Sequence, residues 1–501
     1  MCYFVVKIFY PIQTSFSIYA FLGNPQLLII TRFKGKMTTH TNEEKQFTEP
    51  KNRNDFKFTF IDLFAGIGGF HQAMTKLGGK CVFASEIKPD LQKLYKENFD
   101  IECAGDINEI NIEKDIPKHT ILCAGFPCQP FSKAGKQQGF QDKHERGNLF
   151  WKIMEILEAK KPEFILLENV QNLETHDNCH TWEVIKENLS KLYEVDCKIL
   201  SPHDFGIPQH RKRIYIVGHL KTKGGLKDFS FPEIPKEKPV CSITSIVDEN
   251  ETRYKHLQPQ TRIHLEAWQH FLDILTENNV EIPSFPIWAM EWSADYDYDP
   301  IPPCHQSEED LHGKKGKFGK IIKDGIFDEM LEQLPIYAQV RIEDPDEQFP
   351  DWKKNFIKWN REFYEKNKKI LDPWLPEIQQ QGFENSHQKF EWNCGKDKNA
   401  KPTLDDKIIQ FRPSGIRVKL PTYSPALVLT STQIPIFPWV NTPDGEHGRY
   451  MTTKEAAKLQ CMELKKYPNT MGEAFKAFGN AVNVEVVKKI AEQLLATKLR
   501  G

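Results

Sequence analysis

The chain has 501 residues, 39% of them apolar and 27% charged, with a formal net charge of −2. That length exceeds one compact core and predicts at least two domains. The near-neutral balance excludes a uniformly basic nucleic-acid binder, so any phosphate-binding charge must be gathered on one face.

The first 32 residues are rich in aromatic and aliphatic side chains, but Gly23, Asn24, Pro25 and Gln26 interrupt them. No clean small-residue cleavage site follows, so a signal peptide is disfavoured. From Met37 the chain turns polar, and residues 1–55 read as a disordered extension with translation starting at Met37. Eleven cysteines without a C-x-x-C pair make a poor zinc or disulfide framework and fit a reducing, cytoplasmic compartment. No metal site is read, and no apolar run is long enough to predict a membrane span.

From Phe56 the pattern becomes regular. FKFTFIDLFAG, CVFASEI, HTILCAG, EFILLENV and RIYIVG read as five buried strands. HQAMTKLGG, PDLQKLYKENF, NLFWKIMEILEAKK and TWEVIKENLSKLY carry helical spacing between them. The alternation predicts an α/β domain over 56–222 with a mostly parallel sheet covered on both faces. Residues 223–446 lose this rhythm and hold most of the ten tryptophans, which are read as core. They are assigned to a second, irregular domain. Residues 447–501 return to the first domain, with Val484, Val487, Ala491, Leu494 and Leu495 on one helical face.

Candidate chemistry follows the strands. Asp62 to Gly69 (DLFAGIGG) joins a strand to a helix, where glycines let backbone approach a ligand or simply close a tight turn. Glu86 ends the next strand, 20 residues past Gly66, where an acid can bind ribose hydroxyls. Asp106 stands after a third; either acid also fits a loop carboxylate or helix cap. Cys128, in GFPCQPFS, lies just past a buried strand, where open α/β sheets place ligands. A lone cysteine is more often a buried hydrophobe, but Pro127 beside it and Glu168 at the end of a neighbouring strand favour a chemical role. Gln209 to Arg213 (QHRKR) reads as a solvated basic face or a phosphate- or substrate-binding segment.

FIDLFAGIGGF, SEI, GDI, GFPCQPFS, ENV, QHRKR and GNAVNVEVV, in this order, resemble the DNA cytosine-5 methyltransferase family of bacterial restriction–modification type. The resemblance implies a Rossmann-like fold that binds S-adenosyl-L-methionine, with 223–446 as target-recognition domain. It implies Cys128 as nucleophile, Glu168 as its acid partner, and Arg211 and Arg213 beside the base. For the cofactor it implies Phe64, Gly66 and Gly68 at the methionine end, Glu86 at the ribose and Asp106 at the adenine, with Pro127, Asn480 and Val482 nearby. The expected partner is double-stranded DNA, bound by a monomer, with a separate restriction endonuclease as natural companion. A tRNA cytosine-5 methyltransferase is the first rival, disfavoured by the large insert between QHRKR and GNAVN. A catalytically dead DNA-binding regulator is the second, disfavoured because Cys128, Glu168 and both arginines are retained.

Overall fold

The computed structural model describes residues 56–127, 149–175, 179–237, 239, 241–380, 383, 385–395, 401–427 and 433–499. Residues 1–55, expected to be a disordered extension, lie outside these.

The central strands of the first sheet are short apolar runs buried on both faces. Its strands are β1 (Phe58–Leu63), β2 (Gly79–Ser85), β3 (Ile121–Gly125), β4 (Phe164–Val170), β5 (Tyr193–Leu200) and β7 (Arg213–Leu220), in the order β2-β1-β3-β4-β7-β5. β1, β2, β3 and β4 pair in parallel, while β7 runs antiparallel to β4 and β5. Phe60, Cys123, Leu166 and Val217 point into one core, and Ile61, Leu122, Leu167 and Ile216 into the other. The helices Leu149–Lys160 and His180–Leu189 supply Phe150, Ile153, Leu157 and Ile185 to the second core. The other core holds the helix Gly69–Lys76 and the C-terminal helices Met471–Asn480 and Val484–Leu494. Val484, Val487, Ala491, Leu494 and Leu495 are all buried there, as their spacing predicts.

β5 is the strand that sequence reading did not find. It lies at the sheet edge and alternates Glu194, Asp196 and Lys198 with less polar residues. Such edge strands carry charge and lack the apolar run of a central strand.

A second sheet follows the order β14-β13-β10-β11-β9-β8. Its strands are β8 (Ile287–Trp288), β9 (Lys389–Asn393), β10 (Ile408–Arg412), β11 (Gly415–Lys419), β13 (Ile436–Asn441) and β14 (His447–Tyr450). The helices Pro259–Glu277 and Asp351–Leu371 accompany it. Trp268, Trp292 and Trp374 are fully buried between them, and Trp268 stacks on Phe390 with ring centroids 4.6 Å apart. The reading of the tryptophans as core is corrected for Trp352 and Trp359, which are 56% and 39% exposed on the helix Asp351–Leu371.

Two devices fasten the sheets together. β12 (Ser424–Pro425) pairs with β6 (Gln209–His210). Arg449, on β14, makes a fully buried bidentate pair with Glu455 and also donates to the Asp248 carbonyl. Glu455 accepts the backbone N–H of Thr452 as the first turn of the helix Thr453–Leu459 begins.

Candidate active site

The loop after β1 sets the floor of the site. Phe64, Gly66 and Gly68 all have positive φ, so the chain reverses sharply before the helix Gly69–Lys76. A Cβ on Gly68 would stand 2.1 Å from the Phe99 ring, which leaves room for glycine alone. Gly69 is closed over by Val482, whose Cγ2 would lie 2.6 Å from an added Cβ. The C-terminal return therefore forms part of the wall.

Glu86, at the end of β2, accepts the Gly66 N–H at 2.9 Å with one carboxylate oxygen and the Lys88 N–H at 3.0 Å with the other. Each oxygen keeps a further lone pair for a ligand hydroxyl. Asp106 caps a short 3₁₀ turn, its Oδ1 accepting the Asn108 backbone N–H at 2.9 Å and leaving Oδ2 available. Both bland readings of these acids thus hold as well: each braces a loop, and each lines the cavity.

Glu168 pairs with Gly125 on one side and Tyr215 on the other, deep in the sheet. Asn169 donates to the Phe126 carbonyl at 3.0 Å and fixes the chain as it leaves β3. Arg213 Nε is 3.0 Å from Glu168 Oε1, an ion-pair contact without the angle of a hydrogen bond, and that oxygen is otherwise unpartnered. Burial pushes the Glu168 carboxyl up from the usual range, against the opposing pull of Arg213 and Arg211. Arg211 is itself buried, and its Nε and one Nη make no hydrogen bond among the described residues. Burial and the neighbouring Arg213 charge pull its guanidinium down to about 10. Two guanidiniums beside one carboxylate leave a net positive, desolvated corner. Buried polar groups normally have partners, so this set is poised for a polar ligand.

These elements enclose one cavity of about 1270 Å³. Phe64, Gly66, Glu86, Asp106, Pro127, Glu168, Arg211, Arg213, Asn480 and Val482 all line it. Gly68 does not; it packs on Phe99 and shapes the turn from behind. Cys128 lies outside the described residues, and Pro127 immediately before it is on the cavity wall. Ser201, unremarked in the sequence, accepts the Arg211 backbone N–H at 2.9 Å and so sets that residue's position. Its signal was available as the capping box Ser201–Asp204. Tyr467 and Asn469 complete the rim and carried no legible signal.

The residues present fit S-adenosyl-L-methionine. The two acids offer free lone pairs about the glycine loop, Phe64 and Ile87 supply apolar surface, and the buried Glu168 and Arg211, each with atoms that make no hydrogen bond among the described residues, line the same space. Among the described residues no helix is long and apolar enough to cross a membrane.

A family model for C-5 cytosine-specific DNA methylases matches residues 58–496. Type II methyltransferase M.AluI of Cellulosimicrobium cellulans is 29% identical over 500 residues, covering 87% of this chain and 92% of its own. M.HhaI of Haemophilus parahaemolyticus is 45% identical over 186 residues, covering 37% and 56%. M.HaeII of Haemophilus aegyptius is 54% identical over 178 residues, covering 35% and 54%, so these two matches span about half of each relative. Among solved structures, the Entamoeba histolytica methyltransferase EhMeth aligns over 88% of this chain and 98% of its own, with 14% identity and a TM-score of 0.46.

Proposed function

Because the chain belongs to the family of C-5 cytosine-specific DNA methylases, we propose that it methylates carbon 5 of a flipped-out cytosine in a specific double-stranded DNA sequence, through a covalent adduct of Cys128. The observation that carries this reading is the buried Glu168–Arg211–Arg213 corner, which opens into the same cavity as the glycine loop, Glu86 and Asp106.

When bound, S-adenosyl-L-methionine supplies an electrophilic methyl group. Glu86 would hold the ribose hydroxyls and Asp106 the adenine, with Phe64, Gly66, Pro127, Asn480 and Val482 around them. Carbon 5 of cytosine is too weak a nucleophile unaided. The Cys128 thiolate adds to carbon 6, and the electron pair moves toward carbon 5. Only the thiolate attacks, and the positive corner of Arg211 and Arg213 favours it. Glu168, whose proton affinity burial raises, donates a proton to ring nitrogen 3 and neutralises the charge that collects there. Arg211 offers the N–H groups of its unpaired Nε and Nη1 to the base. After transfer, loss of the carbon 5 proton expels the thiolate. A base inside a duplex cannot reach this cavity, so it must rotate out of the stack.

The relatives are type II methyltransferases by name. The corresponding role here is protection of a DNA sequence against a separate endonuclease. Residues 223–446 select that sequence, and the flanking blocks perform the chemistry. Incubation with labelled S-adenosyl-L-methionine and either duplex DNA or tRNA tests the reading. Label in 5-methylcytosine of duplex DNA at one recurring sequence is expected; label in tRNA alone overturns it.

A further inference from the structure

Beside the glycine loop lies a polar cluster that the proposed chemistry does not use. Asp62, His71 and Tyr95 come from β1, from the helix Gly69–Lys76 and from the helix Pro89–Phe99, and all three are buried. The Tyr95 hydroxyl donates to Asp62 Oδ2 at 3.1 Å. A hydroxyl carries one proton, so its oxygen accepts the Nδ1–H of His71, 2.8 Å away, with the Cys81 thiol beside it at 3.8 Å. Burial pulls the His71 imidazole down to about 3, so the ring is neutral and holds a single N–H. Asp62 Oδ1 makes no hydrogen bond among the described residues, and burial pushes its carboxyl well up from the ordinary range. Burying three polar groups costs more than burying apolar ones of the same size, so packing alone gives no reason for them.

Their placement gives one. Asp62 stands two residues before Phe64 and His71 two residues after Gly69, so the shared Tyr95 hydroxyl ties together the two ends of the loop 64–69. Within that loop Phe64 has φ 56°, in the left-handed region that a side-chain-bearing residue rarely adopts. Such a conformation persists where its surroundings over-determine it. From the β2 side, the Ser85 carbonyl accepts the Ala65 N–H at 2.9 Å and Glu86 accepts the Gly66 N–H at 2.9 Å. From the helix side, the His71 ring stacks on Phe99 with centroids 4.1 Å apart, and Phe99 fills the space behind Gly68. Phe64 and Gly66 line the cavity, whereas Asp62, His71 and Tyr95 stand behind its wall.

We propose that Tyr95 is a positioning residue for the cofactor: by joining Asp62 to His71 it clasps the loop 64–69 and holds Phe64 in its left-handed conformation on the wall of the S-adenosyl-L-methionine cavity. The clasp touches no reacting atom. It acts on binding, by removing the cost of ordering the loop when the cofactor arrives. The inference rests on the proposed methylating function and goes beyond it by naming residues outside the cavity that set its affinity for the cofactor.

The test uses the full-length protein as wild type, Tyr95→Phe, His71→Phe and the double variant. Calorimetry measures S-adenosyl-L-methionine binding, single-turnover rates measure methyl transfer to mixed-sequence duplex DNA, and thermal melts follow stability. Tyr95→Phe keeps the ring and removes the hydroxyl, while His71→Phe keeps the stack on Phe99 and removes the donor. Each should weaken cofactor binding about tenfold and leave the transfer rate at saturating cofactor within about twofold. Because both act through one hydroxyl, the double variant should bind within about threefold of the weaker single variant, not about a hundredfold below wild type. His71→Phe carries the test if Tyr95→Phe does not fold. A lowered melting temperature with unchanged cofactor affinity, a loss confined to the transfer rate, or multiplication of the two affinity losses overturns the inference. A wild type that binds no S-adenosyl-L-methionine instead overturns the function on which it rests.

Discussion

Arg213 reaches across the β4–β7 ladder to within 3.0 Å of Glu168, yet the Glu168 carboxyl still holds its proton more tightly than an exposed glutamate. Burial outweighs two neighbouring guanidiniums, so the proton affinity of this carboxyl is raised rather than lowered.

Glu168→Gln is expected to slow methylation by roughly 10²–10⁴-fold while leaving S-adenosyl-L-methionine affinity within about twofold. Single-turnover rates and calorimetric titration measure the two quantities. Loss of both together would mean that Glu168 supports the whole cleft rather than donating a proton.

The raised pKa fixes the sign of a pH effect. In the proposed mechanism the acid form is the active one, so the methyl-transfer rate should fall as pH rises through the folded-state value of Glu168. In stability the same group contributes most below the ordinary carboxyl pKa of 4.5 and less as pH rises above it. Chemical denaturation of wild type and Glu168→Gln across this range should show the wild-type curve declining more with increasing pH.

Gly66→Ala and Gly68→Ala should fail differently. Both positions have positive φ, which costs a non-glycine residue about 1–2 kcal/mol. At Gly66 the nearest atom to an added Cβ is 3.9 Å away, whereas at Gly68 the Phe99 ring blocks it. Gly68→Ala should therefore add overpacking of about 1–3 kcal/mol and lower the melting temperature more. Its double mutant with Phe99→Ala should recover part of that loss, and thermal melts of the three proteins check the order.

Arg449→Met leaves the fully buried Glu455 without its cation at the junction of the two sheets. Removing one partner of such a pair costs about 3–5 kcal/mol. A urea midpoint close to wild type would show that the junction does not depend on this contact.

Much of the first sheet was legible because β1, β3, β4 and β7 are buried on both faces and read as continuous apolar runs. The glycine loop and the helical face of Val484–Leu495 were legible for a similar reason, since local periodicity fixes them. β5 escaped because an edge strand alternates charge with weakly apolar residues. The second sheet escaped in part because some of its pairs are remote in sequence, as where β8 joins β9 across a hundred residues, while the hairpins β10–β11 and β13–β14 have short strands. The candidate site residues were readable one by one, and those among the described residues all line one cavity except Gly68. What the sequence did not offer was their support, such as Ser201 holding the Arg211 backbone and Asn169 fixing Phe126. Trp352 and Trp359 show the limit of composition, since an aromatic residue on a helix can face outward.

The central claim is the covalent step at Cys128, and a mechanism-based trap tests it most directly. A cognate duplex carrying 5-fluorocytosine at the target position accepts the methyl group but cannot lose fluorine as a proton, so the thiolate is not expelled. Incubated with S-adenosyl-L-methionine, the wild-type enzyme should form a complex that survives denaturation, with the modified peptide mapping to Cys128 by mass spectrometry. Cys128→Ser should bind DNA yet form no such complex and show no turnover. A Cys128→Ser enzyme that methylates cytosine at near wild-type rate, or a trapped peptide mapping elsewhere, would contradict the account.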